Sequence, residues 1–282
     1  MFRALAHAKV NLTLEVLGTR PDGYHEIDTV LQEIALADLV TVEPSSGWSV
    51  SVTGPQAEGT PCDESNLALR AAMRLAERVG GSPVRVHLEK HIPAAGGLGG
   101  GAADAATVLR LLAEVWPGVN AADLSAVAKA IGSDEAFFLV GGTARARGRG
   151  ESVTSLPPIP THGVVVFVPG RSIEKKTPRM FAALDRHRFD SGSVSAAFAA
   201  RPPRQITGQD TYNAFERVAF ELFPWLASLW SDLERRTGAV IRLAGAGPCM
   251  FWIGPTDATT RIARAALGAE CQIIESQTVQ RA

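Results

Sequence analysis

Cysteine is scarce: Cys62, Cys249 and Cys271 are the only three in the chain, and no two are spaced as a CxxC pair. That suggests neither a disulfide framework nor a cysteine-based zinc site, and it suits a reducing compartment such as the cytoplasm. Long hydrophobic runs are missing too. No stretch approaches the roughly 18 apolar residues of a membrane span, and Met1-Phe2-Arg3-Ala4 leads into strand-like alternation without an apolar leader core. Neither secretion nor membrane insertion is expected. An excess of one charge is also lacking, since 28 Lys and Arg stand against 29 Asp and Glu. Without a global positive field the chain has no means of holding nucleic acid or an anionic membrane, so any anion must be bound locally. No internal repeat is present. What remains is a globular composition, 46% hydrophobic and 20% charged, far from that of disordered chains. The length of 282 residues predicts two domains.

From Val10 to Val16, apolar Val10, Leu12, Leu14 and Val16 alternate with Lys9, Asn11, Thr13 and Glu15. This is the period of a half-buried strand, with Lys9 and Asn11 on one face. Further strands are predicted at Leu39–Val42, Trp48–Val52 and Val84–Leu88, whose alternation indicates an antiparallel or mixed sheet. Helical spacing of Leu67, Ala71, Ala72, Leu75 and Val79, stopped by Gly80-Gly81, predicts one helix; Ala102–Val115 and Ala121–Ile131, the latter capped by Asn120, predict two more. Pro157, Pro158 and Pro160 suggest a boundary, giving domains 1–156 and 157–282. Beyond it the order reads strand Val164–Val168, a helix opening at Thr177-Pro178, an aperiodic loop over Asp190–Pro203, helices through Tyr212–Arg236, then strand, glycine turn, strand, helix, strand. That order predicts a βαββαβ sandwich of the α+β class.

Between Pro93 and Ala103 lies Pro93-Ala94-Ala95-Gly96-Gly97-Leu98-Gly99-Gly100-Gly101-Ala102-Ala103, directly before a predicted helix. Glycines without Cβ atoms allow successive backbone N–H groups to turn toward one anion, and a helix N-terminus adds about half a positive charge there. The segment is read as a phosphate cradle; the plainer alternative is a turn allowing close strand–helix packing. A Walker A loop is excluded because Gly101 is followed by Ala102 and Ala103 rather than Lys-Ser/Thr. Gly97-Leu98-Gly99-Gly100-Gly101-Ala102 satisfies GxGxxA, yet Trp116-Pro117-Gly118-Val119-Asn120 stands where a dinucleotide fold places a strand ending in an acid. A hydride-transfer enzyme is therefore a distant alternative.

The loop, joined to Ala8-Lys9-Val10-Asn11-Leu12, Gly23-Tyr24-His25-Glu26, Gly132-Ser133-Asp134 and Leu243-Ala244-Gly245-Ala246-Gly247, resembles the GHMP small-molecule kinases across nearly the whole chain. The resemblance implies a GHMP kinase fold, with an N-terminal domain like domain 2 of ribosomal protein S5 and a ferredoxin-like C-terminal domain. It implies ATP and Mg2+ as cosubstrate, with no dedicated protein metal site. The match points to the branch that phosphorylates the 2-hydroxyl of a cytidine-diphosphate-linked methylerythritol in non-mevalonate isoprenoid synthesis. Gly23-Tyr24-His25 favours that substrate over homoserine, mevalonate or galactose. Carried over residue by residue, it implies catalysis by Lys9 and Asp134, ATP binding by Pro93 to Ala103, and substrate binding by Asn11, Tyr24, His25, Thr177 and Phe181. Partners are then small molecules, with a monomer and a homodimer both open. Ala102-Ala103 stand where the family usually places two serines, and Glu135-Ala136 replace an apolar-Pro pair; these departures leave open a nucleotide-binding protein without turnover. Read alone, Lys9 is an edge-strand charge, Asp134 a helix-capping residue and Thr177-Pro178 the start of a helix.

Overall fold

The structure, a computed structural model, describes residues Met1 to Arg281. Strands β1 (Phe2–Thr19) and β2 (His25–Pro44) are neighbours, joined by a turn in which Gly23 takes a φ of 82°. In chain order follow β3 (Ser49–Thr53), α1 (Leu67–Val79), β4 (Val84–Glu89), α2 (Gly100–Val115), α3 (Ala121–Ile131) and α4 (Glu135–Val140). Contacts divide the chain into two compact units: Met1–Ala8, Leu36–Ala94 and Gly99–Gly141 form one, and Lys9–Ala35, Ala95–Leu98 and Gly142 onward form the other. These units are discontinuous, because β1 and β2 each contribute residues to both.

Within the first unit, β3 lies parallel to β4 and β4 antiparallel to β2, a mixed sheet as the alternation predicts. Helix α1 begins where the Asn66 side chain accepts the Ala68 N–H at 2.9 Å and ends at Gly80, whose φ of 75° is readily available only to glycine. Asn120 opens α3 with a reciprocal capping box through Asp123. Helix α2 starts two residues earlier than its spacing predicts and is almost wholly buried from Ala102 to Leu112; its small side chains permit close packing.

The second unit contains β5 (Thr143–Gly148), β6 (Ser152–Ser155), β7 (Gly163–Pro169), α5 (Lys176–Leu184), α6 (Ser193–Ala200), β8 (Tyr212–Asn213), α7 (Glu216–Leu222), α8 (Pro224–Thr237), β9 (Arg242–Leu243), β10 (Met250–Gly254), α9 (Thr259–Ala265) and β11 (Cys271–Gln277). Here β5 runs antiparallel to β2 and to β6, and β8 runs parallel to β1. A separate four-stranded sheet has the order β11-β7-β10-β9, every pair antiparallel. Its strands and helices follow the predicted βαββαβ connectivity. Val165, Phe167, Met250 and Trp252 of this sheet pack on Leu226, Leu229, Leu233 and Ile262. Each such side chain contributes about 1.5–3 kcal/mol through burial.

Four local expectations are corrected. The strand around Lys9 is buried on both faces from Ala8 to Val16, because its polar side chains meet other buried polar groups rather than water. Asp190–Pro203 is not all loop: α6 forms there, its Ser195 N–H donating to the buried Glu15 carboxylate at 2.7 Å. Tyr212-Asn213 is a short strand on β1 rather than the head of a helix. Finally, α5 begins at Lys176, after Lys175 turns the chain at a φ of 47°, so Thr177 and Pro178 occupy its first turn. Among the described residues no helix is long and apolar enough to cross a membrane.

Candidate active site

Lys9 and Asn11 share one face of β1, and both are buried in the second unit. The Lys9 ammonium donates to Asn11 Oδ1 at 2.8 Å, and Asn11 Nδ2 donates to Thr29 Oγ1 at 2.9 Å. Thr29 in turn donates to the Thr13 carbonyl at 2.6 Å, while the Thr13 hydroxyl accepts the Val30 N–H at 3.0 Å. The lysine is thus oriented by a chain of buried hydrogen bonds, and Asn11 is a positioning group for it.

The glycine segment enters this unit at Ala95–Leu98. The Lys9 N–H donates to the Leu98 carbonyl at 2.9 Å, and the Cys249 N–H to the Gly96 carbonyl at 3.1 Å. Gly97 has a φ of 92°, and a Cβ there would fall 1.9 Å from the Ala244 carbonyl oxygen. Only glycine fits between the loop and the turn Ala244–Gly247. Asn213 holds that turn, its amide donating to the carbonyls of Leu243 and Gly245, both at 2.8 Å. Glu216 accepts the Leu243 N–H at 2.9 Å, and burial pushes its carboxyl up to about 7. The Lys176 ammonium donates to the carbonyls of Ala95 and Gly247. Ala95 itself takes a φ of 52°, which costs an alanine about 1–2 kcal/mol. Lys176, Asn213 and Glu216 were not among the predicted site residues. Their signals are the Lys175-Lys176 pair before Thr177-Pro178 and the Asn213-Ala214-Phe215-Glu216 run.

Among the substrate candidates, the His25 and Phe181 rings are stacked with centroids 4.3 Å apart and planes 17° from parallel. Asp185 meets His25 Nε2 at 2.7 Å, and Phe215 packs edge-on against Phe181 at 4.9 Å. Tyr24 is 52% exposed, with the Arg149 guanidinium 4.6 Å above its ring. The ring contacts of Phe181 among the described residues are with His25 and Phe215, not Tyr24. Thr177 is exposed in the first turn of α5, one turn before Phe181, so the two lie on neighbouring positions of one helix face.

In the first unit, Gly99 is the N-cap of α2 with a φ of 77° and no side-chain cap. The N–H groups at the start of such a helix lack intrahelical partners and face an anion favourably. Pro93 is buried and Ala94 exposed before it, Gly101 is exposed, and Ala102 and Ala103 are buried. Beneath this end, Lys90 is ion-paired with both Asp38 and Asp104. Asp38 also accepts the His91 and Ile92 N–H groups at 2.5 and 2.8 Å. Burial, with a second carboxylate beside it, raises the Asp104 carboxyl from its ordinary range. Gly100 lies close above the triad, its hypothetical Cβ 3.0 Å from Ile92 Cγ2 and 3.5 Å from Lys90 Nζ.

Asp134 is half-buried at the N-cap of α4, yet its side chain makes no capping hydrogen bond. Glu135 beside it is 2% exposed, and burial, helped by the Asp134 charge, pushes its carboxyl up to about 7. Gly132 makes room for Glu135, since a Cβ there would come within 2.4 Å of Oε2.

Residues 66–142 match the family described as GHMP kinases N terminal domain, which sets the class of the glycine loop and α2. A 4-diphosphocytidyl-2-C-methyl-D-erythritol kinase of Cereibacter sphaeroides is 38% identical over 275 residues, covering 96% of this chain and 95% of its own. The enzyme of the same name from Pelotomaculum thermopropionicum is 39% identical over 253 residues, 88% of this chain and 87% of its own. A crystal structure of 4-(cytidine 5'-diphospho)-2C-methyl-D-erythritol kinase shares the fold with a TM-score of 0.79 at 35% identity, covering 99% of this chain and all of that one. The mevalonate kinase of L. major has a TM-score of 0.70 at 14% identity over 100% of this chain and 97% of its own, a likeness of fold alone. The chain belongs to the 4-diphosphocytidyl-2-C-methyl-D-erythritol kinase family of GHMP kinases.

Proposed function

We propose that the chain transfers the γ-phosphoryl group of ATP to the 2-hydroxyl of 4-diphosphocytidyl-2-C-methyl-D-erythritol, a step of isoprenoid precursor synthesis. The observation that carries this reading is the 38% identity to a kinase of that name over 96% of the chain. In the transfer, the 2-hydroxyl oxygen bonds to the γ-phosphorus as the bond to the β–γ bridging oxygen breaks, and ADP departs. The hydroxyl proton passes to the Asp134 carboxylate, or Asp134 orients that hydroxyl. Lys9, held by Asn11, supplies positive charge to the developing alkoxide and the transferring group. Mg2+ enters with the triphosphate as part of the substrate.

Within the segment Pro93–Ala103, backbone N–H groups from Ala94 onward are assigned to the ATP phosphates; the φ values of Gly97 and Gly99, 92° and 77°, support a chain bent as such a cradle needs. The cytosine ring is assigned to Tyr24 and Phe181, with its edge read near His25, which stacks on Phe181, and with Thr177 as a further substrate contact. The experiment is an ADP-release assay offering the cytidine-linked substrate, mevalonate, homoserine and galactose in parallel. Turnover is expected with the first alone. Equal turnover with mevalonate or homoserine removes the substrate assignment, and no ADP release with any acceptor removes the enzyme.

A further inference from the structure

The loop from Pro93 to Ala103 contains no hydroxyl and no cationic side chain, so it offers a phosphate only backbone N–H groups. Charge-assisted hydrogen bonds are about twice as strong as neutral ones, and a triphosphate calls for cations brought from elsewhere in the fold. Lys90, the nearest lysine in sequence, is committed to Asp38 and Asp104. Lys176 differs in this respect. Its ammonium is half-buried, and its hydrogen-bond partners are two carbonyls, Ala95 on the loop and Gly247 on the glycine turn. Among the described residues no carboxylate pairs with it.

Among the described residues, the charged and titratable groups that act on Lys176 are the Lys9 ammonium from β1 and the Cys249 thiol from the segment before β10. Burial pushes that thiol up to about 12, so it stays neutral. Burial, with the Lys9 charge beside it, brings the Lys176 ammonium down to about 8. An ammonium held by two carbonyl dipoles, and by no carboxylate among the described residues, keeps capacity for one negative charge. A phosphate oxygen supplies it.

We infer that Lys176 is a further phosphate-binding residue, placed to take an oxygen of the terminal phosphates of the nucleotide at the Ala95–Leu98 segment. This rests on the ATP reading above. The lysine reaches the loop because Lys175 turns the chain into α5 and directs the next side chain back toward Ala95. Without nucleotide, Lys176 ties the loop to the turn; with nucleotide bound, the same ammonium exchanges a carbonyl for a phosphate oxygen.

The test titrates ATP, ADP and AMP into the full chain and into Lys176→Met and Lys176→Arg at pH 7. Lys176→Met is expected to weaken ATP and ADP binding about ten- to a hundredfold, the worth of a charge-assisted hydrogen bond, and AMP binding less than about threefold. For the wild type, ATP affinity falls as pH rises above about 8, where the free amine loses its proton, because binding must then restore it. Lys176→Arg, charged throughout, restores the affinity at pH 7 and abolishes the alkaline decline. Equal weakening of all three nucleotides by Lys176→Met, or none, overturns the inference and leaves Lys176 a structural tie. An alkaline decline that persists in Lys176→Arg overturns it as well, and that arm remains readable if the Met variant does not fold. A wild type that binds no ATP at all overturns the ATP reading itself, an outcome separate from a Lys176 variant that binds as the wild type does.

Discussion

Asp134→Asn keeps the shape of its side chain and removes the charge, which separates a base from a turn residue. In the proposed role of proton acceptor, Asp134 contributes about 10²–10⁴ to kcat, so the variant is expected to bind ATP and acceptor nearly as before while turnover falls by that factor. In the proposed mechanism Lys9 acts on the same charge distribution, so the Lys9→Met, Asp134→Asn double variant is expected to be much less than multiplicatively worse. Fully multiplicative losses in kcat would mean that the two residues act independently. Glu135, next in sequence, gives a prediction in pH. Its carboxyl is held at about 7 against an ordinary 4.5, so the folded chain binds this proton more tightly than the unfolded one. The favourable contribution is complete below pH 4.5 and is lost as pH rises to about 7. Glu135→Gln, which cannot ionise, is therefore expected to match the wild type in urea unfolding at pH 4.5 and to exceed it by about 1–3 kcal/mol at pH 8. Equal differences at the two pH values would remove the titration from the account.

At the scale of elements, the glycine loop serves two demands that substitution can separate. Gly97→Ala drives a Cβ into the Ala244 carbonyl, and is expected to lower the melting temperature and ATP affinity together. Gly101 is exposed, and a Cβ there would lie 3.3 Å from Leu67 Cδ1, a contact a small shift relieves. Gly101→Ala is expected to keep its melting temperature within a few degrees and to weaken ATP binding about tenfold or more, by blocking backbone approach. Normal ATP affinity in Gly101→Ala would favour the packing reading of that glycine. The elements read correctly from sequence are those fixed by local chemistry: α1 by its apolar spacing and Gly80, α3 by Asn120, the β7–β11 sheet by the order of its patterns. The elements missed depend on distant partners. Helix α6 is tied to Glu15 and Asp28, whose backbone carbonyl accepts the Ser195 hydroxyl at 3.0 Å, and its flanking Ser and Pro residues mask the Ala-rich turn between them. Two-residue β8 exists only because β1 is there to pair with it. The alternation around Lys9 was legible, but polar residues on one face of a strand do not reveal whether water or a buried network lies opposite. In the site, glycine loop and family motifs were visible as letters, whereas the Lys176 contacts and the His25–Phe181 stack join residues remote in sequence and carry no local pattern.

For the molecule as a whole, the assignment of base and phosphate to different residues predicts the inhibition pattern. CMP is expected to compete with the cytidine-linked acceptor and not with ATP. Phe181→Ala is expected to raise the acceptor KM about three- to tenfold for the lost stacking alone, with the ATP KM unchanged; an unchanged acceptor KM would defeat the assignment. Arg281 is also secured to the fold, pairing with both oxygens of the buried Glu33 at 2.7 Å, and Glu33 further accepts the Gly142 N–H at 2.8 Å. Arg281→Ala leaves that carboxylate short of its counter-ion and is expected to lower unfolding stability by about 1–3 kcal/mol.

The close approach of Gly97 to Ala244 has a consequence for the order in which the protein comes to life on the ribosome. Synthesis runs from the N-terminus, and the whole glycine loop has been made before residue 104, but the carbonyl against which Gly97 rests, the Asn213 amide that fixes its turn, and Lys176 all come later. A nascent chain halted at residue 200 holds every glycine of the cradle and neither Ala244 nor Asn213. On the proposed ATP reading, the loop therefore takes its final shape only in a chain whose translation is nearly complete.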